Sequence, residues 1–202
     1  VGPVRYFLTA QHDEFRLFYQ PQFDGAGRLL GAEALLRWMP PGQAPVPPNQ
    51  FIPLAEDTGL ILPIGLWVLE TACDQIATWE SAPDSRALSV SVNVSARQFR
   101  QRDFVHHVAA ILAHTGANPA RLRLELTERV VLEDIEAVIG RMQEIKDLGV
   151  GFALDDFGTG YSSLSYLKRL PLDEVKIDQS FVRDVTHDPN DAAIVRAILA
   201  IS

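Results

Sequence analysis

Five short segments of this chain repeat one pattern, in which aliphatic residues at alternate positions oppose a run of small or polar ones. Leu30, Ala32, Ala34 and Leu36 oppose Gly31, Glu33, Leu35 and Arg37. Leu88, Val90, Val92 and Val94 oppose Ser89, Ser91 and Asn93. Leu122, Leu124 and Leu126 oppose Arg121, Arg123 and Glu125; Val150, Phe152 and Leu154 oppose Gly151, Ala153 and Asp155; Val175 and Ile177 oppose Glu174, Lys176 and Asp178. Side chains alternate faces along a strand, so each segment has an aliphatic face and a small-or-polar face. A solvated face would favour Lys, Glu and Thr, whereas Ser89, Ser91, Gly151 and Ala153 are small. Small inward residues beneath a polar rim fit an α/β barrel with its site at the C-terminal mouth.

Strands are expected over Arg16–Phe23, Leu29–Arg37, Leu88–Val94, Arg121–Thr127, Val150–Asp155 and Glu174–Asp178. Helical spacing of apolar residues marks Ile64–Trp79, Asp103–Thr115 (Asp103 as N-cap, Gly116 as stop) and Asp134–Leu148, closed by Gly149. Asn190 is expected to open a last helix. Alternating strands and helices predict a parallel sheet with helices outside. The short Gly-containing connection Asp24–Arg28 suits a hairpin, so the first strand should run antiparallel to its neighbour. Met39–Asn49 is Pro-rich and reads as a loop within one domain spanning 1–202.

The formal net charge of −8 disfavours binding of a long nucleic acid, since no general phosphate-attracting field exists. The single cysteine, Cys73, reads as a buried structural thiol; it excludes an intrachain disulfide and suits a reducing, cytoplasmic setting, including the cytoplasmic part of a membrane-attached protein. No apolar run is long enough to span a bilayer. The histidines lack zinc-site spacing. The candidate chemistry lies instead with oxygen donors at the strand ends: Glu33, Asn93, Glu125, Asp155 and Asp156. Hard cations such as Mg²⁺ or Mn²⁺ prefer such ligands. A carboxylate bridging two metal ions is the usual device for phosphodiester hydrolysis. Lys176 could hold a nucleophilic water or developing charge, and Arg37 could grip a phosphate.

Glu33-Ala34-Leu35, within Ala32–Trp38, resembles the signature tripeptide of the EAL domain family. The resemblance continues through Tyr19-Gln20-Pro21, Phe51–Glu56, Val92–Ser95 with Gln98-Phe99, Glu125–Glu128, Asp155–Leu164 and Val175–Asp178. It implies a modified TIM-like (β/α) barrel with an antiparallel first strand. The implied activity is hydrolysis of cyclic di-GMP to linear pGpG with Mg²⁺ or Mn²⁺, Ca²⁺ being inhibitory. By matching position, Glu33, Asn93, Glu125 and Asp155 would ligate metal, with Asp155 bridging to a second ion also held by Asp156. Lys176 would contact the hydrolytic water, and Gln20 and Arg37 the substrate. Glu128 would tether the loop Asp156–Ser163, which in this family couples the site to a homodimer interface, and Asp178 would support the same region. The family pattern continues with two further strands that these residues do not contain, so a C-terminally incomplete domain is expected, fused to sensory or GGDEF-type domains in a longer bacterial signalling protein. A cyclic di-GMP receptor without turnover and an unrelated, enolase-like metal barrel are the competing readings.

Overall fold

The computed structural model describes residues 14–128, 130, 134–158, 167–183 and 185–188, with single positions at 192, 193, 195, 196 and 198. Among them, six strands form one sheet in the order β1-β2-β3-β4-β5-β6: β1 (Phe15–Phe23), β2 (Leu29–Trp38), β3 (Ser89–Val94), β4 (Leu122–Thr127), β5 (Gly151–Phe157) and β6 (Glu174–Ile177). β1 runs antiparallel to β2, and every later pair is parallel, as the hairpin and the βα alternation predict. Asp24 closes the hairpin by accepting from the N–H groups of Ala26 and Arg28, each at 2.9 Å. The sheet curls as in a barrel but does not close among the described residues.

The aliphatic faces build the core. Val90, Val92, Leu124, Leu126 and Phe152 are buried beneath α2 (Ile61–Glu80), α4 (Phe104–Thr115) and α5 (Ile135–Asp147). Each such side chain is worth about 1.5–3 kcal/mol when fully buried. Phe99 stands edge-on to Phe152, with centroids 6.3 Å apart, so the turn after β3 is anchored to β5. Cys73 lies in this core with no exposure, and burial pushes its thiol up to about 12, so it is inert.

The stretch Met39–Asn49 is not loop to its end: α1 (Pro48–Thr58) begins inside it. Pro48 occupies the first helical position, where a missing N–H costs nothing, and Pro53 lies farther inside. Gly59, at φ 82°, ends α1, and the Arg97 guanidinium covers its last carbonyls by donating to Glu56 O and Asp57 O. Asp103 sits at the N-cap of α4 but makes no side-chain cap, whereas Asp134 caps α5 by accepting from Ala137 N at 3.3 Å. Arg121 belongs to a 3₁₀ turn (Pro119–Arg121) that leads into β4. Asp178 falls just beyond β6; of the helix expected from Asn190, the described positions 192, 193, 195, 196 and 198 are helical, and Asn190 itself lies outside the described residues.

Candidate metal and phosphate site

Parallel pairing staggers the inward residues. Glu33 is level with Ser91, one step below Asn93; Asn93 is level with Glu125; and Glu125 is level with Ala153, one step below Asp155. Side chains then converge along a diagonal. Asn93 Nδ2 donates to Glu33 Oε1 at 2.7 Å. The Lys176 ammonium crosses β5 and reaches Glu125 Oε2 at 2.7 Å, Glu33 Oε2 at 3.0 Å and Asp155 Oδ1 at 3.3 Å. One cation from β6 therefore bridges carboxylates from β2, β4 and β5.

Tight packing lets the strands approach. A Cβ on Gly31 would lie 2.2 Å from the Ser89 carbonyl oxygen, so only glycine allows β2 to lie this close to β3 below Glu33. On β5 the inward residues Gly151 and Ala153 are small, and long side chains of β4 and β6 meet over them. After β3, a capping box fixes the short helix α3 (Ala96–Phe99): Ser95 Oγ accepts from Gln98 N at 3.2 Å, while Gln98 Oε1 accepts from Ser95 N at 3.3 Å. That box holds the turn immediately beyond Asn93.

The alternation of β5 breaks where the sequence places two adjacent aspartates. Asp156 has φ 54°, in the left-handed region that aspartate tolerates better than most residues, and the β5–β6 register shifts between Leu154 and Phe157. Asp156 N donates to Asp155 Oδ1 at 3.0 Å. Burial, followed by the charges of Asp155 and Asp178, raises the Asp156 carboxyl above its ordinary range. Asp178 accepts from Ser180 N at 2.8 Å and from the Ser180 hydroxyl, which lowers its own.

At the centre, three carboxylates face one ammonium. Burial raises Glu125 to about 7 despite the opposing hydrogen bond and charge of Lys176, with Glu33 and Asp155 pushing the same way as burial. For Lys176, burial works against the ammonium, but Glu125, Glu33 and Asp155 outweigh it and keep it charged. Glu33, Glu125 and Asp155 each offer an oxygen within 4.8 Å of the others, and Glu125 Oε1 is buried with no hydrogen-bond partner among the described residues. A buried, unpartnered oxygen on a carboxylate that lies beside two others fits a divalent cation.

Gln20 lies directly opposite Glu33 on the β1–β2 ladder. The Arg37 guanidinium sits 5.9 Å over the Phe18 ring and donates to Leu36 O at 3.0 Å. Sequence reasoning passed over Phe18, whose inward parity with Gln20 could have revealed it. Beside the carboxylate cluster opens a cavity of about 730 Å³, walled in part by Leu35, Arg37, Ile52, Val68 and Glu128; Asn93 and Asp156 line it as well. Glu128 is buried at 5% exposure, but most of the loop it was expected to tether (159–163) lies outside the described residues.

A model of the EAL domain family matches residues 5–202. The bifunctional diguanylate cyclase/cyclic di-GMP phosphodiesterase MucR of Pseudomonas aeruginosa is 45% identical over 186 residues, covering 92% of this chain and 27% of that protein. The cyclic di-GMP phosphodiesterase PdeR of Escherichia coli is 38% identical over 192 residues, covering 95% and 29%. Among solved structures, a PaMucR phosphodiesterase in complex with c-di-GMP superposes with TM-score 0.90 at 43% identity, over 98% of this chain and 79% of that one. The chain thus spans only about a quarter of the length of these curated relatives.

Proposed function

The chain belongs to the EAL domain family, and on that premise we propose that it hydrolyses one phosphodiester bond of cyclic di-GMP, giving linear pGpG, with help from divalent cations. The observation that carries this reading is the convergence of Glu33, Glu125 and Asp155 on the Lys176 ammonium, with Asn93 joined to Glu33. Glu33, Asn93, Glu125 and Asp155 would hold one Mg²⁺ or Mn²⁺, and Asp155 with Asp156 a second. Bound there, the cations would make water more acidic and neutralise charge on the phosphate.

The chain's own residues do the rest. Arg37 and Gln20, on the inner face beside Glu33, orient the substrate; the guanidinium takes a phosphate oxygen and its stacking on Phe18 limits its freedom. Water oxygen forms a new bond to phosphorus while the bond to the ribose 3′ oxygen breaks, and that oxygen leaves with a proton. Lys176 donates to the attacking oxygen and stabilises the charge that builds on the phosphoryl group. Asp156, turned out of the strand alternation by its backbone, widens the acidic rim beyond what one strand could offer.

We further propose that this domain is the cytoplasmic output module of a longer signalling protein and works as a homodimer. Its coverage of about a quarter of its curated relatives supports only its place in a longer protein; the family resemblance suggests the homodimer. The test is incubation of the protein with cyclic di-GMP in Mg²⁺ and in EDTA, followed by chromatography. Magnesium-dependent pGpG supports hydrolysis. Saturable binding with no product would select the receptor reading.

A further inference from the structure

Lys176 stands on a short strand that is tied to β5 at its start, where Asp173 N donates to Phe152 O at 2.9 Å and Asp173 Oδ2 accepts from Phe152 N at 2.8 Å. β6 has four residues, all half-buried, and it ends the sheet among the described residues. Its ladder to β5 is regular only for Ala153↔Glu174 and Leu154↔Val175; the register then shifts before Phe157↔Ile177. Lys176 therefore falls in the irregular stretch, where backbone pairing alone does not set its height.

A second ion pair lies one step below the site and repeats its geometry with reversed charge. Arg123 Nη1 donates to Glu174 Oε2 at 2.6 Å, passing over β5 where Gly151 and Ala153 leave room. Lys176 reaches Glu125 on the same diagonal, at 2.7 Å. Arg123 and Glu125 share the inner face of β4, and Glu174 and Lys176 share that of β6. Along β4 the order is cation then anion; along β6 it is anion then cation. Sliding β6 by one residue would turn Glu174 and Lys176 to the other face. Sliding it by two would set Lys176 against Arg123, or Glu174 against Glu125. The native register alone pairs both diagonals with opposite charges.

We propose that Arg123 and Glu174 act as a register key: a positioning pair that fixes the height of β6 and thereby delivers Lys176 to the carboxylates of Glu33, Glu125 and Asp155. The catalytic consequence rests on the function proposed above; the structural one does not.

The test uses the full chain with Glu174→Gln, Arg123→Gln and the swapped double variant Arg123→Glu/Glu174→Arg. Amide hydrogen exchange is read at Val175–Ile177, together with kcat and KM on cyclic di-GMP. In each single variant, exchange at β6 should quicken about tenfold while β3 and β4 stay protected. Turnover should fall roughly 10–100-fold with KM little changed, as expected for a misplaced catalytic group. The swapped variant should recover protection and most of the turnover. Wild-type exchange at β6 in Glu174→Gln overturns the proposal, as does a folded swapped variant no better than the singles. If the swapped variant does not fold, Glu174→Gln still decides the matter. If the wild type shows no turnover, the hydrolytic reading fails while the exchange measurement continues to test the register key.

Discussion

Lys176 on β6 and Glu125 on β4 are not strand neighbours, yet their charged atoms lie 2.7 Å apart across β5. The contact requires a small residue between them, and Ala153, beside both strands, supplies it. It also means that the lysine shares the oxygens expected to hold cations, and several consequences can be measured.

Removing the ammonium should separate catalysis from cation binding. Lys176→Met is expected to lower kcat by roughly 10²–10³-fold, the range for losing a preorganised charge at a reacting oxygen. Mn²⁺ affinity by calorimetry should be retained or increased, because a competing cation has gone. A parallel loss of Mn²⁺ binding would assign Lys176 to building the site alone.

Removing a donor should do the opposite. Glu33→Ala and Asp155→Asn are expected to abolish turnover and to weaken Mn²⁺ binding together. Saturating Mn²⁺ should raise the Tm of the wild type, since it binds the folded state, but not that of either variant. Wild-type rates in either variant would contradict the donor assignment.

Gly31 should tolerate no side chain. The atom that an alanine Cβ would meet is the backbone carbonyl of Ser89, which cannot swing aside. Gly31→Ala should cost roughly 2–4 kcal/mol in urea unfolding, at the upper end for overpacking. It should also reduce activity by moving Glu33 away from Asn93. Unchanged stability would show that β2 and β3 can separate at little cost.

Asp173 predicts a pH dependence away from the site. Burial opposes its ionisation, but the Lys146 ammonium at 2.6 Å, the Phe152 N–H at 2.8 Å and the nearby Arg123 charge hold its carboxyl below the ordinary value of 3.8. A lowered folded-state pKa stabilises the fold above the unfolded-state value, and that stabilisation disappears as pH falls through the folded-state value. Asp173→Asn should therefore cost about 1 kcal/mol at pH 7, after allowance for solvent screening. The difference from wild type should shrink as pH falls below about 4, the ordinary aspartate range. A difference independent of pH would assign the effect to packing.

The alternation of β2 to β6 was legible because their two faces meet different surroundings, one under helices and one at the polar interior. Asn93, Glu125, Asp155 and Lys176 could be placed on the inner face by parity alone. The start of α1 could not, because Pro47 and Pro48 read as loop chemistry although a helix admits proline at its first position. The diagonals joining Arg123 to Glu174 and Lys176 to Glu125 were equally hidden. They depend on the stagger between β4 and β6, which no single strand encodes. The side-chain cap expected of Asp103 is absent even though the residue occupies the right position, so the residue type marked the boundary without making the bond.

The most direct test is anomalous diffraction at the manganese edge from crystals of this chain grown with Mn²⁺ and cyclic di-GMP. The account predicts a peak in contact with the side-chain oxygens of Glu33, Asn93, Glu125 and Asp155, with a phosphate oxygen of the dinucleotide on its open side. A peak elsewhere, or a dinucleotide bound with no manganese among those residues, would contradict it.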